Sequence, residues 1–135
     1  AGDERVLMCS FFQHPLYPYS GEVPLGRNMV NVPVAPYTRG AEIRQLIEAQ
    51  WLPALEAFQP QMIFVSAGFD AHREDDLGQL GLVEADYVWI TRRLMDLADR
   101  HAQGRLVSSL EGGYHLGALA RSVAAHVKVL AGVAA

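Results

Sequence analysis

The sequence predicts an α/β fold in which a parallel sheet is flanked by helices, and two observations predict it. Four short strand-like runs are apolar along their length instead of alternating with polar residues, the pattern of strands covered on both faces. Between and after them, longer segments repeat apolar residues at helical spacing, so the order reads β, loop, β, α, β, α, β, α.

Each element follows from local chemistry. Residues 6–12 form an apolar, partly β-branched run bounded by charge before it and by His14 and Pro15 after it, which predicts a buried strand. Residues 14–27 contain Pro15, Pro18 and Pro24 with Gly21 and Gly26, and predict a long loop of the functional kind. A second strand follows at Met29–Val34. Over residues 41–58, Ile43, Leu46, Ile47, Trp51, Ala54, Leu55 and Phe58 keep helical spacing, interrupted only by the polar Gln50. Pro53 removes a backbone donor within that helix, so a kink or restart is expected there. Residues 62–67 read as a continuous apolar strand ended by Gly68. A polar loop leads to a helix over residues 83–102, with Tyr87, Ile90, Leu94 and Leu97 on one face and Gly104 as its stop. Leu106–Leu110 is the fourth strand, Glu111, Gly112 and Gly113 its sharp exit, and Leu116–Leu130 the last helix.

Composition narrows the function classes. Half the residues are hydrophobic, 19% are charged and the net charge is −4, which offers no basic face for nucleic acid or anionic membrane. Cys9 is the single cysteine, so neither a disulfide framework nor a cysteine-rich zinc site is available, and a reducing cytoplasm fits best. No apolar run reaches the length of a membrane span, and no repeat or second domain is evident. The opening AGDERVLMC enters a strand pattern at once without an initiating methionine, as expected of a segment cut from something longer.

In open parallel sheets, ligands bind beyond the carboxyl ends of the strands. Three groups lie there: Ser10, Phe11, Gln13 and His14; Asp70 and His72; Glu111, Gly112, Gly113 and Tyr114. Asp70, just beyond the third strand and two residues after Gly68, can hold a metal or orient a base, or it can simply cap the next loop. Tyr114 can donate a hydrogen bond from its phenol to a developing oxyanion, or it can be a packed tyrosine in a plain turn. His14 and His72 lack partners at ligand spacing and are expected to pack their loops. Glu74, Asp75 and Asp76 are expected to form a solvated face.

Together the strings VSAGFDAH, LEGGYHL, SFFQHPLYPYSG and NVPV resemble the histone deacetylase and acetylpolyamine amidohydrolase family, in the form shared by bacterial and class II-type members. The spacing from Asp70 to Tyr114 suits that family, and the resemblance covers nearly the whole chain. It implies that residues 1–135 are the C-terminal portion of one catalytic domain with an arginase-deacetylase fold. It also implies a zinc ion held by two aspartates and a histidine, of which Asp70 matches the second aspartate. Tyr114 matches the tyrosine that binds the scissile carbonyl opposite zinc. Tyr17 matches an aromatic wall of the acyl-lysine tunnel, Leu77 its gatekeeper position, and Gly112 and Gly113 its glycine-rich rim. Ser10, through its hydroxyl, and Phe11, through its carbonyl, match the ligands of a structural potassium ion; Asp3 and Val6 correspond to backbone ligands of a second.

The same resemblance exposes departures. The family's aspartate-x-histidine motif and tandem histidines would lie upstream of Ala1, so this chain alone is expected to be inactive and to need the N-terminal half of the domain as its partner. Where relatives often read PGTG, this chain has Pro18, Tyr19, Ser20 and Gly21; where many read DPLG, it has Asp75, Asp76, Leu77 and Gly78. Polyamine-selective relatives carry an acidic residue where Leu77 stands. The implied substrate is therefore an acylated lysine or another neutral acyl amide. A binuclear ureohydrolase would need a second aspartate where His72 stands, and a catalytically silent acyl-lysine binding or scaffold protein is the other alternative. With its upstream neighbours missing, one side of the sheet would be bare, and self-association is expected.

Overall fold

A computed structural model describes residues 1–133. The first strand, β1 (Met8–Gln13), pairs in parallel with β2 (Met29–Val34), in a register that sets Met8 opposite Met29 and Gln13 opposite Val34. A second parallel pair joins β3 (Ile63–Ala67) to β4 (Leu106–Leu110), with Ile63 opposite Leu106 and Ala67 opposite Leu110. The expected strands and their parallel sense are present. They form two separate two-stranded sheets among the described residues, not one continuous sheet.

Helices account for the rest. α1 (Gly40–Leu46) runs into a π-helical turn (Ile47–Trp51) and then α2 (Leu52–Phe58). The interruption expected at Pro53 is thus a widened turn on its N-terminal side, where the Leu52 amide bonds to the Ile47 carbonyl five residues back. A proline ring presses on the carbonyl four residues before it, and widening the turn relieves that contact. The register of the buried stripe survives, since Ile43, Ile47, Trp51 and Leu55 all face the core. Trp51 meets Phe11 of β1 with ring centroids 5.6 Å apart.

α3 (Glu84–His101) starts at a carboxylate. Asp86 Oδ2 accepts from the Val83 amide at 2.9 Å, while Oδ1 takes two hydrogen bonds from Arg44 at 2.7 and 3.0 Å, so one side chain caps α3 and ties it to α1. Gly40 permits this approach, because a Cβ there would sit about 2 Å from the Asp86 carboxylate. Beyond α3, Gly104 adopts φ +73° and returns its amide to the Ala98 carbonyl at 2.9 Å, the glycine stop that the sequence predicts. α4 (Leu116–Leu130) is capped by His115, whose Nδ1 accepts from the Ala118 amide at 3.1 Å.

One core cluster joins all of these, with Ile43, Ile47, Leu82 and Leu97 almost fully buried. Coverage of the strands on both faces, which their composition predicts, is not found for β3 and β4. Phe64 is 74% exposed and Val107, its partner in register, 46%, because the helices of the described residues lie over the opposite face, where Ile63 and Ala67 are buried.

Candidate active site

The exits of β3 and β4 run side by side. The Glu111 amide donates to the Ala67 carbonyl at 3.0 Å and the Phe69 amide to the Gly112 carbonyl at 2.8 Å, so the two loops leave the sheet together. Asp70 projects from the first and lies directly against the second. A Cβ at position 112 would come within 2.7 Å of Asp70 Oδ2, and one at position 68 within 3.0 Å of Oδ1. The two glycines leave the space that the carboxylate fills. Gly113 has φ +133°, and a Cβ there would strike Leu119 at 2.8 Å.

The Asp70 carboxylate is exposed, and apart from its own backbone amide it has no donor among the described residues. Loss of solvent around one side raises its pKa above the usual carboxylate range, and the negative charge of Asp75 adds to the rise. An open, destabilised anion of this kind would be relieved by a cation.

Asp75 behaves in the opposite way. It is only 9% exposed, which alone would raise its pKa, but four backbone amides more than offset that and hold its carboxyl below the usual range. Tyr114 and His115 donate to Oδ2 at 2.8 and 3.4 Å; Leu77 and Gly78 donate to Oδ1 at 2.9 and 3.3 Å. Of the acidic run read as a solvated face, this member is instead an internal tether between the loop after β3 and the backbone of Tyr114. Its neighbours in sequence are charged too, so the pattern held no signal that one of the three turns inward. The Tyr114 side chain itself is 53% exposed.

A third contact brings in the end of β1. Gln13 exchanges two hydrogen bonds with Gln79, accepting from its amide at 2.8 Å and donating to its side-chain oxygen at 3.1 Å. This couples the loop beyond β1 to the segment that carries Leu77. Tyr17 and Leu77 are both exposed. Ser10 donates to Asn31 Oδ1 at 3.3 Å within the first strand pair. The Asp3 carbonyl accepts from the Val6 amide at 3.1 Å and from Asn28 at 3.2 Å. Among the described residues no hydrogen bond joins Ser10, Phe11, Asp3 or Val6 to Asp70.

His72, Glu74 and Glu84 also cluster within ligand-like distances. Their protons argue against a metal. His72, 1% exposed, accepts from the Glu74 amide at Nδ1, which puts its hydrogen on Nε2, and that atom faces Glu84 Oε2 at 3.3 Å. Arg121 already pairs with both glutamates. The Arg121 charge draws the Glu84 pKa down to about 2. The group is an ionic clasp holding α4 to the start of α3, and His72 packs its loop as expected.

Comparison with known proteins places the chain among its relatives. A family profile described as the histone deacetylase domain matches residues 1–130. The chain is 44% identical over 103 residues to type-2 histone deacetylase 1 of Dictyostelium discoideum, covering 76% of this chain and 7% of that protein. It is 39% identical over 118 residues to a probable deacetylase of Archaeoglobus fulgidus, covering 83% of this chain and 33% of that protein. The solved structure of the HDA15 HD domain superposes with a TM-score of 0.86 at 34% identity, over 96% of this chain and 38% of that one. The chain therefore spans well under half the length of these relatives.

Proposed function

The chain belongs to the histone deacetylase family and has its arginase-deacetylase fold, and from that premise we propose that it supplies part of the active site of a zinc-dependent amide hydrolase. The observation that carries the reading is the Asp70 carboxylate, free of side-chain partners among the described residues and seated against Gly112, two residues before Tyr114. Asp70 would be one zinc ligand. A catalytic zinc takes three protein ligands, and no three-residue ligand group among the described residues includes Asp70. The remaining ligands and the general base would come from outside these 135 residues, so this chain alone would be inactive. When bound, the metal would acidify a water and polarise the acyl carbonyl.

The chain's own residues would do the rest. Tyr114 would donate a hydrogen bond from its phenol to the carbonyl oxygen as negative charge develops there. Gly112 and Gly113, which carry no side chains to obstruct the approach, would form the rim, and Tyr17 would wall the acyl channel. Leu77, exposed and apolar, gives no carboxylate to pair with a polyammonium substrate, which favours acylated lysine or a similar neutral acyl amide over an acetylpolyamine. Ser10 and Phe11 would ligate a potassium ion that supports the site, with Asp3 and Val6 contributing carbonyls to a second. A ureohydrolase reading is disfavoured because His72, where a second metal ligand would stand, is buried in the ionic clasp, with Nδ1 accepting from the Glu74 amide and Nε2 facing the Glu84 carboxylate at 3.3 Å.

No helix among the described residues is long and apolar enough to cross a membrane, and a cytoplasmic location is part of the proposal. The test is to measure zinc content and hydrolysis of a fluorogenic acetyl-lysine peptide in the complete protein and in Asp70→Asn. We expect the substitution to abolish both. Undiminished zinc would refute the ligand assignment, and preference for acetylspermidine over the peptide would refute the substrate class.

A further inference from the structure

Tyr114 follows two glycines and its side chain is half exposed, so neither local backbone stiffness nor packing fixes it. Gly112 is held through its carbonyl and His115 through its cap on α4, but between those points only one side chain among the described residues grips the chain. We infer that Asp75 is a positioning residue for Tyr114, its carboxylate setting where the tyrosine's backbone sits and hence where its phenol can reach. The inference rests on the deacetylase reading for its catalytic consequence, though not for the tether itself.

The geometry suits that task. Two amides of the segment after β3, from Leu77 and Gly78, hold one oxygen, and those of Tyr114 and His115 hold the other. Hydrogen bonds to an ionised, nearly buried carboxylate are the stronger kind, and this one spans the two loops that carry Asp70 and Tyr114. The same bridge links Leu77 and Tyr114, so one group would keep the gatekeeper position and the oxyanion donor at a fixed separation. A second strap, Arg121 to Glu74, joins the same two regions independently. Loss of Asp75 should therefore loosen Tyr114 while the loops stay together.

The experiment compares Asp75→Asn and Asp75→Ala with the unsubstituted protein, reading amide hydrogen exchange residue by residue and deacetylation of the acetyl-lysine peptide by the complete protein. In Asp75→Ala we expect faster exchange at Tyr114 and His115, with β3 and α4 unchanged. We also expect kcat lower by on the order of 10²-fold with KM within about twofold, as for a misplaced catalytic group. Asp75→Asn should fall between, because its amide oxygen can serve one pair of donors while its NH2 cannot accept from the other. Unchanged exchange at Tyr114, or kcat retained in Asp75→Ala, would overturn the inference. Absence of deacetylation by the unsubstituted protein would instead sink the deacetylase reading, and the exchange data would still decide whether Asp75 holds Tyr114.

Discussion

Gly112 presses against the carboxylate of Asp70 so closely that a methyl group at position 112 would fall 2.7 Å from Oδ2. The site thus depends on an atom being absent. Gly112→Ala should displace Asp70 and weaken metal binding, and overpacking of this kind costs about 1–3 kcal/mol of stability. Zinc retention after dialysis and the urea midpoint measure the two effects. Full zinc retention with an unchanged midpoint would show that the carboxylate has room to move.

His126 carries a pH dependence whose sign is fixed by its neighbours. Thr91 donates its hydroxyl proton to the Tyr87 carbonyl at 2.6 Å and so accepts from His126 Nδ1 at 2.8 Å, which leaves Nε2 to accept from Ser108 at 2.8 Å. The ring is neutral in this arrangement, and burial lowers its pKa below the ordinary value of 6.5. A depressed folded pKa gives stability that is complete above the unfolded value and is lost as pH falls through the folded one. The urea midpoint should therefore drop below about pH 6.5, and His126→Gln should lose that part of the slope. Identical pH profiles for the two proteins would contradict the assignment.

The bare face of β3 and β4 makes a prediction about association. Phe64 and Val107 lie opposite one another and exposed. Contiguous apolar surface of this sort seeks a partner. The 135-residue chain on its own should self-associate in sedimentation velocity, and Phe64→Ser should reduce that. A monomer with a cooperative melt would show that the face tolerates water.

Much of this fold was legible because its signals are local. The apolar run at Met29–Val34, the glycine stop at Gly104 and the buried stripe Ile43, Ile47, Trp51 and Leu55 each depend on neighbours within a few residues. Pro53 announced an interruption, yet the form it takes, a π turn on its N-terminal side, depends on keeping Trp51 against Phe11 of a distant strand. The division into two sheets was not legible either, since apolar strands look alike whether or not something pairs with their far edge. At the site, Asp70 and Tyr114 stood out by their position after strands and glycines. Asp75 did not, because a carboxylate that turns inward to four amides has the same letters around it as one that faces water. His126 was equally silent, as its partners Thr91 and Ser108 come from separate elements.

Removal of the Tyr114 phenol is the most direct trial of the proposed site. In the complete protein, Tyr114→Phe should retain zinc and bind an acetyl-lysine peptide as before. Its kcat should fall by roughly 10²–10³-fold, the usual loss when one oxyanion donor is deleted. Equal turnover by the variant and the unsubstituted protein would contradict the role assigned to this tyrosine, and with it the active site described around Asp70.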